Sequence, residues 1–549
     1  MDPRRPSNPW GGKVLVWDES HYASCGAVGG DFHQRWAIVD PDAGTVQTYT
    51  WVIPASEAPA AWNPNLNGPT GNQGLFCSGH CWLRDGKLLV VGGNDWSGPA
   101  YVGSQLVTVF DPWAGSPATA WSVVKDANQN PLRIQRRRWY PTVMRLADAQ
   151  DTVCVFGGVE TWNFTTNTVN QAEYAHRTYE AFQTNVAPPV GPWSVDRRTG
   201  ITINGTQQLG LFGGPGLATS TDELFYYPRF HLLSRQALQS ASANGIAWMG
   251  GMVTESCWVE HVTQPMVWPA PRPILPNGHS LLEESASIVF PNVSPLHEDL
   301  IVQMGGEEGF AHQGGITNRV WLLPARNPLP VWTNLAALDL LYARKFHKAV
   351  LLPDTAVLLV GGGQNPMHGG AGLEVFWPEV FLQGQWRYCA KEQVTAQDPT
   401  QPVGSPRTYH SCALLLPSGN VLSCGGNTRI VDYHVFRPHY FDGAHKRPEW
   451  TVAAPPPTTI AYGQPFQFGF TLPFGLTLDK VVLTTPGSST HAQDPGQRCI
   501  QLPFTVSDSG AHATATAPAS ASHAIPGCYM LWLVSSAGVP SVAQWVFLQ

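Results

Sequence analysis

One unit recurs along this chain and constrains its fold more than any other feature: an apolar run, a tight turn, and a second apolar run ending in Gly-Gly. The plainest copies run from Cys81 to Gly93, with a turn at Asp85-Gly86, and from Ala349 to Gly362, with Val357-Leu358-Leu359-Val360 as the second run. Another closes at Gly425-Gly426, and weaker ones close at Gly157-Gly158, Gly250-Gly251 and Gly305-Gly306. Successive Gly-Gly pairs stand about 55 to 95 residues apart. Short apolar runs bounded by turn formers read as strands, and no long segment carries the 3.6-residue period of a helix. A first unit at Lys13-Val14-Leu15-Val16-Trp17 brings the number of units to seven.

A single such unit cannot bury its own apolar faces, so the units must stack on one another. The reading is a seven-bladed kelch-type β-propeller over residues 1–447, each blade a small antiparallel sheet. The pattern then changes. After Pro448 come a proline run, Pro455-Pro456-Pro457, and alternating segments at Phe466 to Phe470, Lys480 to Leu483, Ala513 to Ala517, Tyr529 to Val534 and Val542 to Leu548. Short strands at this spacing over roughly 100 residues predict an immunoglobulin-like β-sandwich at 448–549. Composition agrees with an all-β chain: charged residues make up 13%, against 54 Gly, 48 Pro and 22 Trp.

Several partners are excluded. The net charge is −7, and the one basic cluster, Arg136-Arg137-Arg138, runs straight into Trp139-Tyr140, which argues against nucleic acid. No stretch of about 18 apolar residues predicts a membrane span. The N-terminus, Met1 to Pro6, has no apolar core of a signal peptide, so one was removed or none was used. The ten cysteines lack CxxC spacing and form no zinc framework. Cys499 and Cys528 either pair or stay free.

The chemistry points to Arg407-Thr408-Tyr409-His410-Ser411. Neighbours on a strand face opposite ways, so Tyr409 and His410 meet one site only where a strand starts or twists. Otherwise the pair is a polar strand terminus beside a water-filled channel. Aligning Gly425 with Gly92 sets His410 opposite Cys77 and Tyr409 opposite Phe76. Aligning Gly425 with Gly157, with one extra residue in the turn Ala147 to Gln150, sets Tyr409 opposite Tyr140. Cys77, Tyr140, Tyr409 and His410 then lie at one depth, while His347 falls opposite Ser411 and reads as structural. Such nitrogen and oxygen donors suit copper(II) better than zinc. One more imidazole completes a set of four, and the loop Pro486 to Ala492 offers His491.

These segments resemble those of the radical-copper oxidases, the family of galactose oxidase and glyoxal oxidase. Phe76-Cys77-Ser78-Gly79 is similar to the family's thioether cysteine segment, and Arg138-Trp139-Tyr140-Pro141-Thr142 to its cross-linked tyrosine segment, closer to the glyoxal oxidase branch. Arg407 to Ser411 resembles the axial tyrosine with its equatorial histidine. Pro486 to His491 resembles the loop that brings a histidine from the sandwich, with Gln497-Arg498 following it. Pro526 to Leu531 and Gly538 to Ser541 resemble the C-terminal signature.

The resemblance implies a copper ion held by Tyr140, Tyr409, His410 and His491, with a Cys77–Tyr140 thioether radical as second cofactor and Tyr409 as base. It implies a monomeric, secreted oxidase of small alcohols or aldehyde hydrates that passes electrons to O2 and releases hydrogen peroxide. The family's tryptophan over the thioether follows the Gly-Gly directly; here Trp162 stands two places late and is the candidate for that role. The alternative reading is a non-catalytic kelch propeller that binds a protein or glycan.

Overall fold

The computed structural model describes residues 10–17, 32–54, 56–57, 72–97, 100–147, 151–163, 168–169, 178–184, 190–196, 201–203, 206–208, 227–233, 246–250, 256–259, 284–291, 299–307, 315–324, 331–365, 373–389, 407–426, 433–507 and 510–549. Among them every regular element is a strand except three short 3-10 turns, Pro117–Thr119, Ala336–Leu338 and His439–Phe441. No helix is long and apolar enough to cross a membrane. The glycine pair Gly250-Gly251 involves a residue outside those described. The chain divides into two units, Arg5–Phe230 with Asn244–Arg272, and His231–Ala243 with Pro273–Gln549.

In the first of these units, Val14–Trp17, Phe32–Asp40 and Thr45–Ile53 form a three-stranded sheet. Ser78–Trp82 and Leu88–Gly92 pair as predicted, but the next strand, Ala100–Phe110, is long enough to pair again with Asn94–Ser97 and Thr161–Asn163. That widens the second repeat beyond a simple four-stranded unit. The third is regular: Thr142–Arg145, Thr152–Phe156, Thr178–Gln183 and Val190–Asp196 lie in sequence order.

The other unit holds two regular four-stranded sheets, one starting at Ala286–Val289 and one at Lys348–Leu351, then a three-stranded sheet of Ser411–Leu415, Val421–Gly425 and Tyr433–Phe436. It also contains the predicted sandwich. One layer has four strands in the order Glu449–Trp450, Pro465–Thr471, His512–Thr516, Phe504–Val506; the other has five, with Gly527–Ser535 at its centre. Phe466, Phe468 and Phe470 from the first layer meet Val481, Leu483, Leu531 and Leu533 from the second in a buried core, as strict alternation requires. The opposite face of the five-stranded layer, with Val482, Met530, Trp532 and Val534, packs on Leu351, Ala413 and Leu415 of the neighbouring sheets.

The repeats whose glycine pairs are described share one arrangement. Both glycines of a pair have positive φ, for instance 75° and 118° at Gly92 and Gly93, and 66° and 86° at Gly361 and Gly362. A Cβ on the first would sit 2.5 Å from the Arg138 carbonyl at Gly92 and 2.4 Å from the Arg407 carbonyl at Gly361. Glycine is therefore required where the next sheet's backbone comes closest. The arginine side chains turn back and bind their own sheet's glycine carbonyl: Arg138 to Gly157 at 2.6 Å, Arg344 to Gly361 at 2.9 Å, Arg407 to Gly425 at 2.7 Å. Arg138 and Arg344 are also paired with Glu180 and Glu379, all four side chains being fully buried.

The predicted register holds at one end and shifts at the other. Ser78 faces Gly92 and Ser411 faces Gly425, so Cys77 and His410 are equivalent, as the glycine alignment requires. His347 is the counterpart of Ser411 and is fully buried. The turn after Thr142–Arg145, however, closes from Leu146 to Thr152, whereas its counterpart closes from Leu416 to Asn420. It thus holds two extra residues, not one. Tyr140 takes the place of His410, and Trp139 that of Tyr409. Of the two alternatives for Cys499 and Cys528, the structure has the free thiols, on strands separated by Leu478–Thr484.

Candidate metal centre

A residue one or two places before the first strand of each described repeat from Cys77 onward adopts a left-handed conformation. Its φ is 57° at Cys77, 64° at Tyr140, 51° at Tyr227, 57° at Glu284, 62° at Phe346 and 66° at His410. For non-glycine residues this costs roughly 1–2 kcal/mol each, and such strain collects at functional sites. It also cancels the pleat, so a residue and its predecessor face the same way. The rings of Tyr409 and His410 lie 3.7 Å apart, tilted by 32°, and those of Trp139 and Tyr140 stack 4.3 Å apart at 28°. Backbone bonds connect these positions from one sheet to the next: Tyr140 N–H to Cys77 O at 3.0 Å, Tyr227 N–H to Tyr140 O at 2.8 Å, and Phe346 N–H to Glu284 O at 3.1 Å.

In the unit that contains the sandwich, three predicted residues come together. His491 lies at the tip of a hairpin in which Thr490 and Gln493 exchange both backbone bonds at 2.9 Å. Both tip residues have positive φ, 41° at His491 and 67° at Ala492, which is the signature of a type I′ turn normally built from Gly, Asn or Asp. The His491 ring stands 4.9 Å from that of His410 and 5.3 Å from that of Tyr409, both edge-on. A nitrogen of His410 and one of His491 lie within 4.8 Å of each other. Metal–nitrogen bonds of about 2 Å let one ion reach both after a small side-chain adjustment. Thr490 Oγ1 is 2.7 Å from His491 Nδ1, a contact that orients the ring and leaves Nε2 for a metal.

The loop is anchored at its base. Gln497 accepts from Leu351 N–H at 2.5 Å and donates to Ala349 O at 3.0 Å, while Cys412 donates its thiol to Ser489 O at 3.2 Å. Asp494 accepts from Ser488 N–H at 2.8 Å, and burial pushes its carboxyl up to about 6. Arg498 reaches the Leu232 carbonyl.

In the other unit, Cys77 and Tyr140 share one buried cluster with Trp139, Val159 and Tyr227. Cys77 is in no disulfide and is 4% exposed. Cys81 lies instead in a separate apolar cluster with Leu89, Val91 and Val143, where burial pushes its thiol up to about 12. Burial likewise depresses His80 to about 4, its ring meeting Trp17 edge-on at 5.2 Å. The ring of Trp139 stacks on that of Tyr140. The backbone of Trp162 pairs with Tyr101 in the Thr161–Asn163 strand, and its side chain lies outside the described residues. The sequence signal for Trp139 was present: Trp139-Tyr140 occupies the same two places as Tyr409-His410. Tyr227 was also missed, though Tyr227-Pro228 repeats Tyr140-Pro141.

Comparison with known proteins agrees with this chemistry. The family described as galactose oxidase-like, early set domain, matches residues 447–548. Galactose oxidase of Gibberella zeae is 29% identical over 256 residues, 44% of this chain and 35% of that protein, so the chain spans about a third of the relative's length. Aldehyde oxidase GLOX of Vitis pseudoreticulata is 27% identical over 512 residues, 86% of this chain and 82% of the relative. A copper-bound fungal alcohol oxidase of the AA5 family has the same fold, with a TM-score of 0.67 and 20% identity over 99% of this chain and 96% of the other. These likenesses support the radical-copper oxidase family, that of galactose oxidase and glyoxal oxidase.

Proposed function

We propose that the protein is a copper-radical oxidase that takes two electrons from a small primary alcohol or aldehyde hydrate and delivers them to O2, giving hydrogen peroxide. The likeness to proteins named galactose oxidase and aldehyde oxidase supports this. The observation that carries it is the buried cluster holding the Cys77 thiol and the Tyr140 phenol on equivalent left-handed residues, joined by a backbone bond. A binding-only propeller has no need of that pair. The recurring Gly-Gly, arginine and left-handed residue support a seven-bladed propeller over 1–447, and the family match supports a sandwich over 448–549.

The donors fit copper. His410, His491, Tyr140 and Tyr409 would hold the ion, two imidazoles and two phenols being the nitrogen and oxygen set copper(II) favours. When bound, copper(II) supplies a one-electron acceptor. The two-electron oxidation needs another, and Tyr140 bonded to Cys77 would be that second acceptor, since a thioether on the ring makes a phenol easier to oxidise. Tyr409 would take the substrate hydroxyl proton at Oη. Trp139, stacked on Tyr140, would shield the oxidised ring from water. Secretion and a monomeric state complete the proposal.

Exposure of the protein to copper(II) and O2, followed by peptide mass spectrometry, tests it. A Cys77–Tyr140 peptide two hydrogens light is expected, with peroxide released from an alcohol or aldehyde. No such peptide and no peroxide from any substrate of either class would leave the binding-only reading in its place.

A further inference from the structure

Tyr227 belongs to none of the roles above, yet it contacts Tyr140 and the residue next to Cys77, and shares their buried cluster. It is 2% exposed and left-handed, with φ 51°. Its N–H donates to Tyr140 O at 2.8 Å, and its ring meets the Tyr140 ring edge-on at 5.4 Å and 71°. Its phenol Oη donates at 3.0 Å to the carbonyl of Ser78, the residue directly after Cys77. A hydrogen bond to that carbonyl fixes the orientation of the Cys77–Ser78 segment, while the backbone bond and ring contact fix Tyr140. One rigid side chain thus ties the segment that carries the thiol to the residue that carries the phenol.

We propose that Tyr227 is a positioning residue for formation of the Cys77–Tyr140 thioether, an inference that rests on the function proposed above. The step joins Cys77 Sγ to the Tyr140 ring carbon next to the phenol oxygen. The S–H and the ring C–H are lost, and their two electrons and two protons pass to O2, giving one hydrogen peroxide. The rate of such a step depends on how much of the time sulfur and ring carbon are held in contact. Tyr227 acts by raising that fraction and does not itself react.

Tyr227→Phe keeps the ring and the backbone bond and removes only the phenol bond. The test follows the two-hydrogen mass loss of the Cys77–Tyr140 peptide against time after copper(II) and O2 are added to the full chain. The expected result is a rate about two- to tenfold slower than wild type, the weight of one net hydrogen bond. Tyr440→Phe is the matched control, because Tyr440 is another buried phenol bonded to a backbone carbonyl, that of Gly419, in the other unit. Its cross-linking rate should stay at the wild-type value.

A Tyr227→Phe rate equal to wild type overturns the inference and leaves the oxidase reading intact. So does an equal slowing in Tyr440→Phe, which would trace the effect to general loss of stability. A wild-type protein that never forms the thioether overturns both.

Discussion

Gln497 is where the sandwich grips the sheet that begins at Lys348–Leu351, and its replacement by alanine gives the sharpest check on how His491 is held. Leu352 N–H bonds to Ala356 O, so ladder bonds on this strand fall on even-numbered residues. The N–H of Leu351 and the C=O of Ala349 therefore face the strand's open edge, where the Gln497 amide satisfies both, as a neighbouring strand would. Two net hydrogen bonds at about 0.5–1.5 kcal/mol each put the loss at about 1–3 kcal/mol. If the whole loss falls on the geometry of the His491 hairpin, copper binds about 5- to 150-fold more weakly. The assay is competitive copper titration of wild type and Gln497→Ala, with melting temperatures measured alongside. Gln497→Glu keeps the acceptor but not the donor and should fall between the two. If Gln497→Ala melts earlier yet binds copper within twofold of wild type, the anchor does not place His491 and the reasoning fails.

Three further outcomes are expected. Arg344→Ala strands the fully buried Glu379 carboxylate and should destabilise by about 3–5 kcal/mol in urea unfolding; a loss under about 1 kcal/mol would mean the pair is not what holds that sheet. Asp494 is raised by burial to about 6 from an ordinary 3.8, so its contribution to stability is complete below about pH 4 and is lost as pH rises through 6. Asp494→Asn should therefore melt with wild type near pH 4 and above it at pH 7.5, and parallel melting curves at both would contradict the shift. Trp139→Ala removes a ring stacked on Tyr140, worth about 0.5–1.5 kcal/mol, so the oxidised protein's absorption should decay about two- to tenfold faster without substrate; an unchanged lifetime would rule out a shielding role.

Local chemistry determined much of this protein before any chain was folded. The Gly-Gly pairs follow from the need for neighbouring sheets to touch through backbone, where no side chain fits. Strict alternation at Phe466 to Phe470 dictates which face of the sandwich is buried. The equivalence of Cys77 and His410 follows from counting back from glycine, because strand pairing preserves register.

What depended on tertiary structure lay where counting fails. Two extra turn residues, where one was expected, moved Tyr140 from the place of Tyr409 to that of His410, and a turn's length is set by how its ends pack. Trp139 and Tyr140 share a face only because Tyr140 is left-handed, a conformation that neither residue type favours alone. His491 likewise sits on a strained tip held in place by Gln497 and Asp494, distant contacts that no local pattern announces. Strain of that kind is stable only when the surrounding fold over-determines it, so it becomes visible only once the fold is complete.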